Sequence, residues 1–330
     1  MTDEAPPPLV AVLAAFAALY VIWGSTYLGI RFAIETMPPF TMAGIRFVAA
    51  GSMLYAWSRA RGAGRSTRPQ WKTAVVVGAL LLLGGNGLVS WAEQFVPSGI
   101  AALIVASTPM WMVLLDAVRL REWPRPAVFA GLVLGLLGIV LLVGPQRLGG
   151  EPVDPVGALA VGAAAFFWAL GSVYQRGAPK AASTLLNVGM QMLAGGVLLL
   201  AVGLAVGERL DVGAVSAKSA GALAYLVFVG AIVGYSAYVW LLKVTTPAKA
   251  ATYAYVNPIV AVLLGWALAD EPLGPRVVLA GAAVVAAVAL ITTARAAGTP
   301  GARGKREERR GSERHAPGLR QTVGATTSEG

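Results

Sequence analysis

SGIAALIVASTPMWMVLLDAV, residues 98 to 118, contains one charged side chain, Asp116, and is long enough to cross a lipid bilayer. A helix needs roughly 20 apolar residues to span about 30 Å of hydrocarbon. Nine comparable stretches accompany it. We therefore predict an all-α integral membrane protein whose ten transmembrane helices occupy residues 9–30, 40–58, 72–92, 98–118, 126–144, 155–175, 184–206, 219–242, 248–269 and 275–294.

The composition agrees with a membrane protein and argues against several kinds of chemistry. Hydrophobic residues make up 57% of the chain and charged residues 13%, against roughly 45 to 50% and 25% in soluble domains. The chain has no cysteine, and its one histidine, His315, lies in a polar tail. We therefore expect no metal, no cofactor and no catalytic thiol or imidazole in the apolar body.

The net charge of +10 indicates membrane topology and not a nucleic-acid partner. Eight of the 26 basic residues fall between Arg295 and Arg320, and most others lie in short loops. If the N-terminus is cytoplasmic, the loops on that side hold twelve basic residues and the opposite loops hold five. Because basic residues in short loops resist translocation, we predict an inner-membrane protein with cytoplasmic residues 1–8 and a cytoplasmic basic tail, 295–330.

The two halves of the chain resemble each other. A shift of 145 residues, or of 149 further along, aligns these pairs: Trp23 and Trp168, Arg31 and Arg176, Gly44 and Gly189, Arg46 and Gln191, Gly51 and Gly196, Gly85 and Gly234, Pro109 and Pro258, Glu122 and Glu271. Each half has five predicted spans, an odd number, so the halves lie in opposite orientations. We predict two inverted five-helix repeats, residues 9–144 and 155–294, joined by a linker, 145–154, around a central cavity.

Proline falls midway along the fourth and ninth predicted spans. Pro109 follows Thr108, and Pro258 follows Asn257. Each proline leaves one main-chain carbonyl without its usual donor, and helix interruptions at equivalent positions of two repeats are typical of transporter binding sites. The alternative is a pair of purely structural kinks.

Several motifs resemble the EamA family of the drug/metabolite transporter superfamily, and its YedA-like inner-membrane members in particular. They are Trp23-Gly-Ser-Thr-Tyr27, Pro38-Pro39-Phe40, Ala43-Gly-Ile-Arg46-Phe47, Pro97-Ser-Gly-Ile-Ala-Ala and the segment from Tyr253 to Leu264, which contains Asn257-Pro258. The resemblance covers about residues 9 to 295. It implies a ten-helix exporter fold with a central cavity, and substrates such as amino acids or other small metabolites.

Aromatic and polar side chains within the spans are the candidates for lining this cavity. Their alternative role is packing between helices, since an unpaired polar group in hydrocarbon costs roughly 1 to 3 kcal/mol and does not face lipid. The candidates are Trp23, Tyr27, Asn86, Thr108, Trp111, Trp168, Gln191, Tyr235, Tyr238, Tyr253 and Asn257.

Charged residues near the spans raise a separate question. Arg46 lies inside the second span, where a charge is costly unless it is paired or hydrated. It therefore either contacts substrate or connects helices by hydrogen bonds to main-chain carbonyls. Glu93 is the carboxylate that we expect to pair with Arg46, and Asp116 is expected to pair with Arg119 or Arg121. Glu93 and Asp116 are also the two candidates for proton coupling or gating. Glu122 and Glu271 each precede a helix start, and a carboxylate there stabilises the helix dipole.

These features favour a secondary transporter that exports a small organic solute by alternating access. The partners we expect are this solute and the lipid bilayer, and the sequence leaves the oligomeric state open. No phosphate-binding glycine loop is present to use ATP, which leaves proton antiport or facilitated diffusion. A membrane enzyme is disfavoured because Asp270-Glu271 is the one paired-acid sequence in the body. A channel or receptor is disfavoured because no charged ring or filter-like glycine run is evident.

Overall fold

The computed structural model describes residues 8–121, 124, 126–143, 153–245 and 253–296, and all regular secondary structure within these ranges is helical. The all-α class is thus confirmed for this part of the chain. Most of the predicted linker, Glu122, residues 1–7 and residues 297–330 lie outside the described residues. The helices are α1 Leu9–Ala33, α2 Pro39–Ala60, α3 Arg68–Ala92, α4 Ser98–Val105, α5 Thr108–Leu120, α6 Pro126–Val143, α7 Pro155–Gly177, α8 Thr184–Ala205, α9 Ala217–Tyr225 with its continuations Leu226–Val233 and Gly234–Val244, α10 Tyr253–Ala269 and α11 Pro275–Ala296.

Six helical stretches are long and apolar enough to cross a membrane. They are Leu9–Ala33, Arg68–Ala92, Ser98–Arg119, Pro155–Gly177, Thr184–Ala205 and Ala217–Tyr238. Three shorter apolar helices are Pro126–Leu142, Val256–Ala269 and Pro275–Ile291. The chain is therefore a multi-pass membrane protein, while the count of ten spans stays a prediction.

The outer surface of the helix bundle is apolar. Leu136 and Val140 on α6 are 58% and 57% exposed, and Leu159 on α7 and Leu204 on α8 are each 75% exposed. Contiguous exposed aliphatic side chains are unfavourable in water. Exposing the same side chains to lipid tails carries no free-energy penalty. These surfaces therefore mark the membrane-facing side of the bundle.

Local sequence sets where the helices begin. Pro39, Pro126, Pro155 and Pro275 each stand at or next to the first helical position, where proline's fixed φ and missing N–H are best tolerated. Before α7, an oxygen of Asp154 accepts a hydrogen bond from the main-chain N–H of Gly157 at 2.6 Å. Because these signals are local, the helix starts predicted from the sequence lie close to those in the structure.

α3 and α9 each contain a π-helical segment. The segments are Gly78–Gly87 in α3 and Leu226–Val233 in α9. π-Helical turns are rare and frequently occur at functional sites. The 149-residue shift carries Gly78 onto Val227, so the two irregular segments lie at equivalent positions of the sequence repeat.

Glycines allow α2 and α8 to cross at very short range. A Cβ atom built on Gly51 would lie 2.7 Å from the main-chain nitrogen of Leu193 and 3.0 Å from the carbonyl oxygen of Gly189. A Cβ on Gly196 would lie 2.7 Å from the nitrogen of Val48 and 3.1 Å from the carbonyl oxygen of Gly44. Gly44 thus faces Gly196, and Gly51 faces Gly189, so the two helices are antiparallel.

α6 and α11 form a second close pair. A Cβ on Gly131 would lie 3.2 Å from the carbonyl oxygen of Ala287, and one on Gly138 would lie 3.1 Å from that of Ala280. The order of these contacts again makes the helices antiparallel. At the end of this pair, Arg276 donates hydrogen bonds to the carbonyls of Leu141 and Leu142 at 2.7 and 2.8 Å, which satisfies acceptors at the end of α6.

Candidate functional site

Four aromatic side chains from three helices meet in the interior, and we call them the aromatic cluster: Trp23, Tyr235, Tyr238 and Tyr253. The Trp23 ring lies edge-on to Tyr253, with centroids 4.9 Å apart, and 5.3 Å from the ring of Tyr238. Tyr238 in turn lies 5.9 Å from Tyr253 and 6.1 Å from Tyr235. α1, α9 and α10 therefore bring together four of the residues that the sequence singled out.

Glycine makes room for this cluster. A Cβ on Gly234 would lie 2.7 Å from Nε1 of Trp23, and a Cβ on Gly24 would lie 2.6 Å from Cβ of Val260. α1 can therefore approach both α9 and α10 closely. Tyr27 lies one turn beyond Trp23 on α1 and packs against a buried cluster that contains Ala92, the residue before Glu93.

Three other predicted site residues, Trp168, Trp111 and Asn86, each make a contact outside the aromatic cluster. A Cβ on Gly85 would lie 2.9 Å from Cε3 of Trp168, so the indole packs directly on α3. Trp111 lies edge-on to Phe166, with centroids 5.4 Å apart. The side chain of Asn86 donates to the carbonyl of Leu81 at 3.5 Å, a long hydrogen bond within the π-helical segment.

The two predicted helix interruptions have different outcomes. The helix breaks between α4 and α5, at Ala106 and Ser107, and Pro109 stands at the start of α5. Thr108 closes the break by donating its hydroxyl to the carbonyl of Val105 at 2.7 Å. The predicted break at Pro258 is wrong, because α10 is helical on both sides of it. A proline inside a membrane helix removes a single main-chain hydrogen bond, and neighbouring helices and small local adjustments make this loss tolerable.

Three of the predicted cavity residues have buried atoms without a hydrogen-bond partner among the described residues. These atoms are Nε of Arg46, Nε2 of Gln191 and Oδ1 of Asn257. Arg46 is 6% exposed, and its guanidinium lies 4.8 Å from the ring centroid of Phe47. A Cβ on Gly230 would lie 3.6 Å from Nη2 of Arg46, so the guanidinium faces the π-helical segment of α9.

Glu93 is completely buried at the end of α3. Neither carboxyl oxygen has a hydrogen-bond partner within the described chain, although Arg31 donates to the main-chain carbonyl of Glu93. The expected ion pair with Arg46 is not formed, since no nitrogen of Arg46 lies within 4.0 Å of the carboxylate among the contacts of the described residues. The two groups lie close enough to interact electrostatically, without touching.

Asp116 pairs with a different partner from the expected one. Its carboxylate accepts from Arg176 on α7, with a nitrogen-to-oxygen distance of 3.1 Å, so the prediction of Arg119 or Arg121 as partner is wrong. α7 packs against α5 and brings Arg176 to the carboxylate.

Glu271 also binds away from the helix that follows it. Its two carboxyl oxygens accept from the main-chain N–H groups of Ser98 and Gly99 at 2.7 and 2.9 Å. The expected stabilisation of the helix starting at Pro275 is therefore wrong, because the carboxylate caps α4 in the other half of the chain. The sequence identified this carboxylate but contains no signal for a partner some 170 residues away. Glu208 was missed altogether, and it caps α2 by accepting from Phe40 and Thr41 at 3.0 and 2.7 Å.

A pocket of about 320 Å³ opens at the end of the bundle where Glu271 lies. Its polar wall includes Arg31, Asp270 and Arg276, and its apolar wall includes Phe95 and Ile100. None of the aromatic cluster lines it. Within the described residues, no group of three or more histidine, cysteine, aspartate or glutamate side chains is placed to hold a metal ion.

Comparison with known proteins places the chain in a family. A model of the EamA-like transporter family matches residues 9–144 and again residues 155–293. The inner membrane transporter YedA of Escherichia coli K12 is 40% identical over 295 residues, covering 86% of this chain and 91% of that protein. The aromatic amino acid exporter YddG of Ancylobacter novellus is 32% identical over 169 residues, covering 50% of this chain and 58% of that protein. One crystal structure matches with a TM-score of 0.58 and 25% identity over 89% of this chain and all of that one. The chain belongs to the EamA-like transporter family.

Proposed function

We propose that the protein is a secondary transporter that exports an amino acid, or a similar small metabolite with an aromatic or amphipathic side chain, by alternating access. The transporter family and the aromatic cluster support this assignment together. The name of the YddG relative points to aromatic amino acids as cargo. Ten spans, two inverted repeats at residues 9–144 and 155–294, and cytoplasmic termini are parts of the same proposal.

The observation that carries the proposal is a pair of contacts related by the sequence repeat. Trp23 packs against Gly234, and Trp168 packs against Gly85. In the repeat, Trp23 aligns with Trp168 and Gly85 aligns with Gly234. The two contacts therefore join equivalent pairs of residues, each with one residue in either half. Equivalent contacts made across the two halves support a two-fold axis in the membrane plane, which is the architecture that opens alternately to either side.

The glycine crossing of α2 and α8 supports the same axis. Gly44 aligns with Gly189 and Gly51 with Gly196, and each glycine faces the mate of the other. A helix packed antiparallel against its own repeat mate is expected when the two repeats are inverted. α6 and α11, which begin at the aligned prolines Pro126 and Pro275, make a second pair of this kind.

The aromatic cluster is the proposed contact for the cargo's side chain. Each favourable ring contact contributes about 0.5 to 1.5 kcal/mol beyond area burial, and the cluster presents several rings from helices on both halves. A bound aromatic ring takes over such contacts with Trp23 or Tyr253. Relative motion of α1 against α9 and α10 then opens or closes the cluster.

Trp23→Ala tests the site directly. We expect about a tenfold loss of saturable L-phenylalanine counterflow in proteoliposomes, because the solute's ring loses a contact with the indole worth about 0.5 to 1.5 kcal/mol beyond area burial. Trp57→Ala is the matched control, since Trp57 is 56% exposed and lies over Arg61 at the bundle surface. The site assignment fails if both variants transport like the wild type. The proposed function fails if wild-type vesicles show no saturable flux of any amino acid.

A further inference from the structure

We propose that Arg46 and Glu93 form the two poles of a binding site for a zwitterionic amino acid, and that Glu93 exchanges its proton for the solute's ammonium group. The inference rests on the proposed transport function and goes further. It names the side chains that bind the carboxylate and ammonium groups of the amino acid, and it names the proton as the ion that drives transport.

Arg46 on α2 and Trp23 on α1 both contact α9, which shows that Arg46 lies beside the aromatic cluster. Gly230 faces the guanidinium of Arg46, and Gly234 faces the indole of Trp23. Four residues along a helix correspond to about 6 Å, so the guanidinium and the indole contact the same face of α9 about one turn apart. This separation suits an α-amino acid whose carboxylate and aromatic ring are joined by two carbons.

Arg46 has an unused donor for that carboxylate. Its Nε has no partner among the described residues, and the side chain is 94% buried by its 6% exposure. A buried guanidinium without a carboxylate is costly, and a planar guanidinium binds a carboxylate through two parallel hydrogen bonds. The solute's carboxylate therefore supplies what Arg46 lacks in the empty protein.

Glu93 lacks a hydrogen-bond donor, whereas Arg46 lacks an acceptor. Its carboxyl group is fully buried, and neither oxygen receives a hydrogen bond within the described chain. An ionised carboxylate in that state loses its hydration and gains no hydrogen bond in return, and the neighbouring Glu271 opposes its charge while Arg31 and Arg46 favour it. Because the loss of hydration is the largest of these effects, the group holds a proton in the empty protein. The charged and titratable groups facing it are Tyr27 and Arg31 on α1, Arg46 on α2 and Glu271 before α11.

Tyr27 connects this carboxyl group with the aromatic cluster. It lies one turn from Trp23 on α1 and packs against the buried cluster that contains Ala92, the residue before Glu93. A solute held by Arg46 and the cluster therefore has its ammonium group on the side of Tyr27 and Glu93. The ammonium then gives Glu93 the opposite charge that it needs to ionise.

The exchange balances in atoms and charge. The protonated carboxyl group of Glu93 releases one proton to water on the side that is open, and the resulting carboxylate binds the ammonium group. The loaded site is neutral, because Arg46, Glu93 and the zwitterion cancel. The empty site carries one positive charge, from Arg46. One proton therefore travels against one solute, and the step also moves one charge, so an inside-negative membrane potential drives export.

The test compares two ligands on purified protein in a weakly buffered solution containing a pH indicator. L-Phenylalanine carries both charges, and 3-phenylpropionate carries the carboxylate alone. We expect wild-type protein to release about one proton per bound phenylalanine and none per bound phenylpropionate. Its dissociation constant for phenylalanine falls by up to about tenfold per unit rise in pH while empty Glu93 is protonated.

Glu93→Gln separates the two poles. We expect this variant to lose the proton release and the pH dependence, to bind phenylalanine about tenfold or more weakly, and to bind phenylpropionate like the wild type. Glu35→Gln is the matched control, because Glu35 is a carboxylate that pairs with Lys218 at 2.6 Å and has no part in the proposed site, and its proton release stays unchanged. Arg46→Gln weakens the binding of both ligands.

Two results overturn the inference. One is equal proton release by wild type and Glu93→Gln, and the other is phenylalanine binding by wild type with no proton release. Saturable phenylalanine flux alongside either result leaves the proposed transport standing while removing Glu93 from it. If Arg46→Gln does not fold, the Glu93→Gln comparison decides by itself.

Discussion

We expect Gly51→Ala to lower the free energy of unfolding by about 1 to 3 kcal/mol, the usual cost of overpacking a tight core. The added methyl group would lie 2.7 Å from the main-chain nitrogen of Leu193, 2.9 Å from Cβ of Met192 and 3.0 Å from the carbonyl oxygen of Gly189. Two of these atoms are main-chain atoms of the facing helix, so no rotamer change relieves the clash. α2 and α8 have to move apart along their whole crossing.

Gly162→Ala is the matched control for this prediction. Gly162 lies within α7, and a Cβ there meets no atom within 4 Å. Alanine in a helix interior is favoured over glycine by roughly 0.5 to 1 kcal/mol, so this variant should be neutral or slightly more stable. Thermal unfolding of the detergent-solubilised protein measures both. A melting temperature for Gly51→Ala equal to that of Gly162→Ala would contradict the close crossing.

A second glycine gives an independent check of the same crossing. Gly189 faces Gly51, and a Cβ on Gly189 would lie 2.8 Å from the main-chain nitrogen of Tyr55. Gly189→Ala should therefore destabilise by a similar amount. The double variant should cost less than the sum, because contacting residues couple and helices already separated by one methyl group accommodate the second.

Much of the membrane fold could be predicted because its signals are local. Apolar length and proline positions mark the helices, and α7 begins at Pro155, where the sequence places it. The sequence aligns Trp23 with Trp168 and Gly85 with Gly234, and the structure packs Trp23 on Gly234 and Trp168 on Gly85, contacts that the alignment alone did not predict.

The electrostatic pairs could not be predicted in the same way. Asp116 has basic neighbours in sequence, yet it pairs with Arg176 sixty residues away. Glu93 and Arg46 are near each other without forming an ion pair, which depends on side-chain positions that no spacing encodes. α10 continues through Pro258 and packs against α1 and α4. Sequence reasoning identified these residues but not their partners.

Glu271→Ala should destabilise the protein by about 3 kcal/mol or more, which is the second large effect that we expect. The carboxylate accepts from two main-chain N–H groups, those of Ser98 and Gly99, and hydrogen bonds to a charged group contribute about 1.5 to 3 kcal/mol each. Removing it also leaves two donors at the start of α4 without an acceptor. The substitution therefore detaches the turn before α11 from α4, and thermal unfolding in detergent measures the loss.

Asp270→Asn is the matched control for Glu271→Ala. Asp270 neighbours Glu271, is exposed, and adopts the left-handed conformation with φ of 52°, which asparagine adopts readily. This variant removes a negative charge at the same turn without touching the cap, so it should unfold at nearly the wild-type temperature. Equal destabilisation by both variants would mean that the local charge matters and that the two hydrogen bonds do not.

Gly265→Ala reaches the same carboxylate from the other side. A Cβ on Gly265 would lie 2.3 Å from Oε2 of Glu271 and 3.3 Å from the hydroxyl of Ser98. The methyl group therefore displaces the carboxylate from the amides of α4 although Glu271 is still present. We expect a loss of stability similar to that of Glu271→Ala, and little further loss when the two substitutions are combined, because the second acts on an interaction that the first has already removed. If the losses of stability in the two single variants add up fully in the double variant, Gly265 acts through packing alone. It then has no part in the hydrogen bonds by which Glu271 connects the two halves of the chain.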